Sequence, residues 1–164
     1  MTFFGSATQA DADGLPRRDG GPDGAESGLY HAASFGTKVD PLSSALATVR
    51  AQLADLRMRV PGVRGSILAG VDGLLITHDL PGVVEPHDLA ALSATTFGLG
   101  RQCALVLGQS PFRDATLRSQ GGYFTVYAVN DKTLMAVLGD DGLNVARLHI
   151  EARPTAAQLA DLLQ

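Results

Sequence analysis

Four side chains that often bind metals or move protons crowd the segment before the second predicted helix. They are His78, Asp79, Glu85 and His87. Imidazole and carboxylate groups are common ligands of zinc and other transition metals. Their spacing matches no established ligand pattern, however, and His87-Asp88 at a helix start is ordinary capping chemistry. We therefore expect no metal site here.

The other reactive side chains form no catalytic set either. Cys103 lies in an apolar helical stripe with no histidine nearby in sequence, so we expect a buried, inert thiol rather than a nucleophile. Gly98-Leu99-Gly100 lacks the third glycine and the preceding strand of a dinucleotide-binding loop, and the sequence has no Gly-x-x-x-x-Gly-Lys phosphate loop. The sequence thus predicts a protein that is not an enzyme, needs no cofactor and works by binding.

Composition excludes several classes of partner. The net charge of −4 argues against nucleic acid, for which a basic stripe would be expected. A single cysteine excludes an intramolecular disulfide and suits a reducing compartment. The N-terminus has no signal-peptide pattern, and no apolar run approaches the roughly 18 residues of a membrane-spanning helix. We expect a cytoplasmic protein without direct membrane insertion.

The chain is predicted to divide near residue 38. Residues 1–38 are rich in glycine and scattered charges and contain no Val or Ile. Such a segment cannot bury enough apolar surface to offset its ordering entropy, so we predict a disordered tail. A short linear motif around Phe3-Phe4 or Leu29-Tyr30 is the alternative. Residues 39–164 are predicted to form the folded domain.

The folded part contains a hairpin, a helix and a three-strand meander. Asp72-Gly73 joins the first two strands and is a strong hairpin signal, because its turn requires positive φ angles. Gly121-Gly122 and Asn130-Asp131-Lys132 separate the later strands. The five predicted strands are Val63–Ala69, Leu74–Thr77, Phe112–Ser119, Tyr123–Val129 and Thr133–Gly139.

Helices are predicted before, within and after these strands. Asp40 and Pro41 begin the first helix, and Asn144–Gln164 form the last, which Pro154 should kink or split. The central strands are apolar on both sides, whereas an antiparallel sheet with one wet face would alternate. We therefore predict an α/β three-layer sandwich: a five-stranded antiparallel sheet, with the first and last helices on one face and the second helix on the other. The polar strand Phe112–Ser119 is expected at an edge.

The second helix, from about Pro86 to Leu107, carries two apolar stripes. We expect its deep stripe to be the one of large residues: Leu89, Leu92, Thr96, Leu99, Cys103 and Val106. Its other face is small, with Ala90, Ala91, Ala94 and Gly98. Glycine inside a helix costs about 1 kcal/mol relative to alanine, so close approach of another helix is the expected reason. That helix contact is either within this domain or, as we favour, in a homodimer.

Several segments carry a family resemblance. They are the run Pro61–Ile76, the helix start Leu89-Ala90-Ala91-Leu92-Ser93-Ala94, Gly122-Tyr123 and Asn144-Val145-Ala146-Arg147-Leu148. In this order they resemble a bacterial roadblock/dynein-light-chain domain, over roughly residues 42–163. The resemblance implies a profilin-like fold of the roadblock type. It also implies a dimer that joins two sheets into one of ten strands through the central helix and the third strand.

Carried onto this chain, that interface lies on the helix Leu89–Leu107 and the strand Phe112–Ser119. The expected interface residues are Ala90, Ala94, Phe97, Gly98, Arg101, Arg113, Ala115 and Leu117. The resemblance further implies a small Ras-like GTPase as partner, sometimes accompanied by a membrane sensor-kinase-like protein. Arg101, Arg113 and Arg118 are candidates for an arginine finger, although exposed arginines more often only solubilise a surface.

These observations predict a dimeric, non-catalytic regulator or adaptor that changes the nucleotide state or the localisation of a small GTPase. Two other functions remain open. One is a ligand-sensing domain, which should show an apolar pocket with a few convergent polar groups. The other is a purely structural dimerisation module of a signalling complex.

Overall fold

The computed structural model describes residues 40–82 and 84–164. The predicted tail, residues 1–38, lies outside the described residues, as does the predicted domain boundary. Three helices and five strands follow the predicted order. Their bounds are α1 (Pro41–Arg59), β1 (Val63–Gly70), β2 (Leu75–Asp79), α2 (Pro86–Val106), β3 (Asp114–Ser119), β4 (Gly122–Ala128), β5 (Thr133–Gly139) and α3 (Val145–Leu162).

The five strands form one antiparallel sheet in the order β2-β1-β5-β4-β3. The strands β2 and β3 are therefore the two edges, and the prediction that the polar third strand lies at an edge is confirmed. That strand begins at Asp114 rather than at Phe112, because the Phe112 side chain packs against α2 instead of extending the ladder. The hairpin turn places Gly73 at φ +85°, as its sequence predicts.

Helices cover both faces of the sheet. One face packs against α1 and α3, and its core includes Leu53, Leu56, Tyr127, Leu148 and Leu159. The other face packs against α2, the one described helix on that side, through a separate cluster. That cluster contains Ile67, Ala69, Leu89, Ala90, Phe97, Val126, Leu134 and Ala136. The predicted three-layer arrangement is therefore confirmed, and it explains why apolar residues fill both sides of β5.

Helix starts follow local capping chemistry. The Asp40 carboxylate accepts a hydrogen bond from the backbone N–H of Leu42, and Pro41 occupies the first turn of α1. The Asn144 side chain accepts one from the N–H of Arg147 at the start of α3. These caps satisfy N–H groups that have no partner within the helix.

Pro154 was predicted to kink or split the last helix, and the split is not found. The helix α3 continues from Val145 to Leu162 with Pro154 inside it. Proline removes one backbone donor, which would otherwise bond to the carbonyl four residues earlier, at Ile150. Both residues are exposed, so water can reach this part of the backbone. Buried residues before and after the proline, Leu148 and Leu159, hold the helix against the sheet.

No helix in residues 40–82 and 84–164 combines the length and the hydrophobicity needed to cross a lipid bilayer.

Candidate interaction surface

The helix α2 does not face the sheet with the side that was predicted. Its buried residues are Leu89, Ala90, Ser93, Phe97 and Ala104. Of the predicted deep stripe only Leu89 is buried; Leu92 is 59% exposed, Leu99 66% and Val106 77%. The inner side is mostly small, and the large aliphatic side chains point away from this chain's own core.

Small residues allow α2 to lie close to the sheet. Ala90 is fully buried, and so is Ser93, whose hydroxyl donates to the Leu89 carbonyl at 2.6 Å. This bond satisfies the hydroxyl within the helix, so Ser93 can face an apolar core without a free polar group. On the sheet side, Ala69 and Ala136 belong to the same cluster. Large leucines at these positions would hold the helix away from the strands.

The two glycines inside α2, Gly98 and Gly100, have different surroundings. A Cβ atom at Gly100 would lie 2.3 Å from Cε2 of Phe112, so the glycine makes room for that ring. The Phe112 ring in turn meets the Phe97 ring edge to face, with 5.5 Å between centroids. A Cβ at Gly98 would have nothing within 4 Å. The close approach predicted for the glycines is thus found at Gly100, with an aromatic ring rather than with a helix.

Cys103 is exposed, so the prediction of a buried thiol is wrong. It lies on the outer side of α2 together with Leu99 and Leu107, where all three line the same open groove. Cys103 belongs to the stripe that was expected to face the core. That stripe faces outward, so the thiol is exposed.

The edge strand β3 lies beside this outer side of α2. It pairs with β4 only, so its other edge offers backbone N–H and C=O groups with no strand partner in the described part of the chain. Leu117 on this strand is 52% exposed. An uncovered edge that carries an apolar side chain is suited to pairing with another chain.

An open groove of about 610 Å³ runs between α2 and β3. We call the apolar outer side of α2, with the facing side of β3, the α2–β3 surface. Its residues are Leu92, Thr96, Leu99, Cys103, Val106, Leu107, Arg113, Ala115 and Leu117. A contiguous apolar surface of this kind is typical of a protein–protein interface rather than of free solvent-exposed surface.

A polar cluster holds the start of β3 against α3 at one end of the groove. The Asp114 carboxylate accepts from the Arg153 guanidinium at 3.2 Å and lies 3.9 Å from Nδ1 of His149. That nitrogen shares a 3.0 Å hydrogen bond with the Tyr127 hydroxyl. Burial raises the pKa of Tyr127, and the negative charge of Asp114 raises it further. His149 is therefore half-buried in a network that sequence spacing does not reveal.

The expected interface residues separate into three groups. Arg113, Ala115 and Leu117 line the groove. Ala90 is completely buried and Phe97 is 5% exposed, so placing these two at an outer interface is a mistake. Both lie in the cluster beneath α2 because the helix turns its small side inward.

The other three expected residues lie outside the groove. Ala94 is half-buried and packs towards Gly73 in the hairpin turn. Gly98 is exposed beside open space. The Arg101 guanidinium lies 5.8 Å from the centroid of the Phe97 ring, at a separate cavity. The exposed leucines of α2 are absent from the expected interface residues. Their helical spacing is present in the sequence, but it was assigned to the core stripe.

The histidine and carboxylate residues before α2 are not assembled into a metal site. Among the described residues, no three His, Cys, Asp or Glu side chains come together as a possible ligand set. Glu85 caps α2 by accepting from the N–H of His87. Asp79 pairs with Arg57 at 2.7 Å, which joins β2 to α1 and raises the pKa of Arg57.

A family model described as the Roadblock/LC7 domain matches residues 50–139, more than half of the 164 residues. The chain belongs to the Roadblock/LC7 domain family. The matched span begins within α1 and ends with the last residue of β5. It therefore contains α2, β3 and the groove between them, and the predicted family is confirmed.

Solved structures share this fold. A Roadblock/LC7 domain from Streptomyces avermitilis superposes with a TM-score of 0.65 at 22% identity, covering 69% of this chain and 95% of that one. The gliding protein MglB from Thermus thermophilus gives a TM-score of 0.67 at 16% identity, covering 73% and 90%. An MglB structure described as having a tetrameric arrangement gives 0.68 at 17% identity, with the same coverage. The predicted roadblock fold is confirmed.

Among curated proteins, an uncharacterised protein of Methanocaldococcus jannaschii is 27% identical over 101 residues. The match covers 62% of this roadblock chain and 85% of the archaeal protein. The similarity therefore extends over most of that relative.

Proposed function

We propose that this roadblock protein is a homodimeric, non-catalytic regulator or adaptor of a small Ras-like GTPase in the cytoplasm. The observation that carries the proposal is the α2–β3 surface, where large aliphatic side chains lie exposed beside an uncovered strand edge. Membership of the Roadblock/LC7 family supports the same function, because the family pattern implies dimers that bind such GTPases.

The α2–β3 surface suits a second copy of this chain. A two-fold axis brings the same patch of both copies together, so an apolar surface meets an equally apolar surface. Antiparallel pairing of β3 with its copy would satisfy the free strand edges and extend the sheet to ten strands. Burying a fully exposed leucine is worth about 1.5–3 kcal/mol, and Leu99 and Leu117 would contribute from each copy.

The dimer is tested by introducing the same charge at two adjacent positions of α2. Leu99→Glu places a carboxylate on the α2–β3 surface, where the interface would bury it without a partner. Gly98→Glu places it beside open space, away from the groove. We expect light scattering with size-exclusion chromatography to find a monomer for Leu99→Glu and a dimer for Gly98→Glu and the wild type.

The reverse result, in which only the Gly98→Glu variant is monomeric, would show that the side of α2 carrying Gly98 forms the interface. Dimers in both variants would remove the α2–β3 surface from the proposal altogether.

A non-catalytic regulator acts on a GTPase through differential affinity for its two nucleotide states. The dimer would present a pair of related surfaces that reposition the GTPase's own switch segments. A directly inserted arginine is the alternative. Arg113 lines the groove and would be occupied by the dimer contact, whereas Arg118 lies over the Tyr123 ring at 5.5 Å and is exposed.

The functional test uses the small Ras-like GTPase encoded nearest to this protein's gene. Binding, GTP hydrolysis and nucleotide exchange are measured with the wild type, Leu99→Glu and Gly98→Glu. A change in either rate that Gly98→Glu retains and Leu99→Glu loses supports a dimeric regulator. Binding with unchanged rates supports an adaptor. If the wild type does not bind the GTPase, the proposed partner is wrong, while the dimer proposal stands on its own measurement.

A further inference from the structure

The flank of α2 opposite to the groove borders a second cavity, of about 460 Å³. Its walls come from the C-terminal half of α2, the loop before β3, the end of β4 and the β4–β5 turn. Its α2 residues, Phe97, Arg101 and Leu105, do not line the α2–β3 groove, whereas Pro111 and Phe112 line both. The cavity and the groove therefore share the Pro111–Phe112 segment and differ in their helix residues.

Two aromatic rings form an apolar wall of the cavity. Phe97 is 5% exposed, and its ring meets that of Phe112 at 85° with 5.5 Å between centroids. Gly100 leaves the space in which the Phe112 ring sits. Because Phe97 is almost fully buried, the half-buried Phe112 ring supplies the accessible aromatic surface of this wall. The wall is thus preformed by packing within the chain.

Two opposite charges line the same cavity without neutralising each other. Arg101 and Asp131 form no ion pair together, and neither side chain has a hydrogen-bond partner in the described part of the chain. The Arg101 guanidinium lies against the Phe97 ring, which holds it at the cavity without using its N–H donors. Asn130 beside Asp131 uses its side-chain oxygen to cap the N–H of Lys132, so its amide N–H₂ group remains available.

We propose that this cavity binds a small zwitterion with an aromatic or large apolar body, of the amino-acid type. The carboxylate of the ligand would accept from Arg101, its ammonium group would donate to Asp131, and its apolar body would pack on Phe112. A volume of about 460 Å³ is within the usual range for small-molecule sites. A zwitterion can engage both exposed charges, whereas a simple acid or amine can engage only one of them.

The test uses three probes of the same ring size with the full chain: L-phenylalanine, phenylacetate and 2-phenylethylamine. Titrations are followed by ¹H–¹⁵N NMR and by calorimetry at millimolar ligand. We expect L-phenylalanine to bind most tightly and to shift the backbone amides of Phe112, Asn130 and Asp131. Phenylacetate and 2-phenylethylamine should each bind about tenfold more weakly, because each lacks one charge-assisted hydrogen bond.

Substitutions then connect the binding to the two charges. Arg101→Gln and Asp131→Asn should each weaken L-phenylalanine binding about tenfold. Matched controls are Arg64→Gln and Asp141→Asn, which are exposed and do not line the cavity. They should bind as the wild type does, and a thermal unfolding midpoint for each variant shows that its fold is intact.

Absence of any amide shift with L-phenylalanine overturns the proposal. Binding that survives both Arg101→Gln and Asp131→Asn also overturns it, since the ligand would then lie elsewhere. If phenylacetate binds as tightly as L-phenylalanine and Asp131→Asn has no effect, the zwitterion class is wrong. All of these measurements are made without a GTPase. A negative result would therefore overturn the ligand proposal without affecting the proposed function.

Discussion

The two faces of the sheet are covered in different ways. Two helices, α1 and α3, share one face, and both bury large aliphatic residues there, including Leu53, Leu56 and Leu148. In the described part of the chain a single helix, α2, covers the other face, and its buried residues are three small ones with Leu89 and Phe97. Its other large aliphatic residues, such as Leu99, point outward. One face is therefore complete within the chain, whereas the other continues into an uncovered apolar surface.

The difference shows what hydrophobic spacing can and cannot predict. The helix α1 has one apolar stripe, and Val49, Leu53 and Leu56 from that stripe are buried. The helix α2 has apolar residues around most of its circumference, so spacing identifies the helix but not its inner side. Choosing the bulkier stripe as the inner one was the source of the error.

The largest expected difference in stability is between leucine-to-alanine substitutions in α1 and in α2. Leu53→Ala should reduce the free energy of unfolding by about 2–5 kcal/mol, because Leu53 is fully buried in the core. Leu92→Ala, at a 59% exposed position, should change it by no more than about 0.5 kcal/mol. Urea unfolding at several protein concentrations separates fold stability from any contribution of the dimer. Equal losses for both variants would contradict the described orientation of α2.

Enlarging the small inner side of α2 should also destabilise the protein. Ala90 is fully buried between α2 and the sheet, so Ala90→Leu adds volume to a filled site. Overpacking of this kind costs about 1–3 kcal/mol. Ala91→Leu, at the adjacent exposed position, is the control and should be nearly neutral in urea unfolding. A neutral result at both positions would mean that the small face does not lie against the strands.

The two glycines of α2 should respond oppositely to alanine. Gly98→Ala should stabilise by up to about 1 kcal/mol, because the helix gains propensity and the new methyl meets open space. Gly100→Ala should destabilise despite the same gain in propensity, since the methyl would displace the Phe112 ring. Thermal unfolding of the two variants measures the difference. Stabilisation by both would show that Phe112 can move away without cost.

The smallest effect concerns pH. Burial raises the pKa of Tyr127 in the folded chain above its ordinary value of 10.0. The unfolded chain therefore releases this proton first as the pH rises, and stability present below pH 10.0 is lost above it. Tyr127→Phe removes the ionising group. The free energy of unfolding of this variant should therefore fall less steeply than that of the wild type between neutral pH and alkaline pH. Parallel slopes for the two proteins in urea unfolding would exclude this linkage.

Much of the fold followed from local signals. Asp40 and Asn144 begin helices through caps within three residues, and Gly73 supplies the positive φ angle of the hairpin. The polar composition of β3 correctly indicated an edge, because unpaired backbone and charged side chains both tolerate water. Pro154 does not split α3; the carbonyl it leaves without a donor belongs to Ile150, and both of these residues are exposed.

The candidate surface was predictable only in part. Strand residues Arg113, Ala115 and Leu117, expected at the interface, line the groove, and their role in an interface stays a prediction. The helix residues were misplaced, since burial of Ala90 and Phe97 depends on Ala136, Phe112 and other partners distant in sequence. The pairing of His149 with Tyr127 likewise joins residues of α3 and β4.

The amino-acid sequence by itself determined the order of the elements, the turns, the edge position of β3 and the family, because these depend on neighbouring residues and on strand composition. Only the tertiary structure decided which side of α2 faces the sheet. The physical reason is that both sides of α2 are apolar, so hydrophobic burial alone does not choose between them. Packing distinguishes the sides: the one that lies against Ala69, Ala136 and the Phe112 ring includes the small residues Ala90 and Gly100. The exposed leucines on the outer side form the surface through which we expect the protein to act.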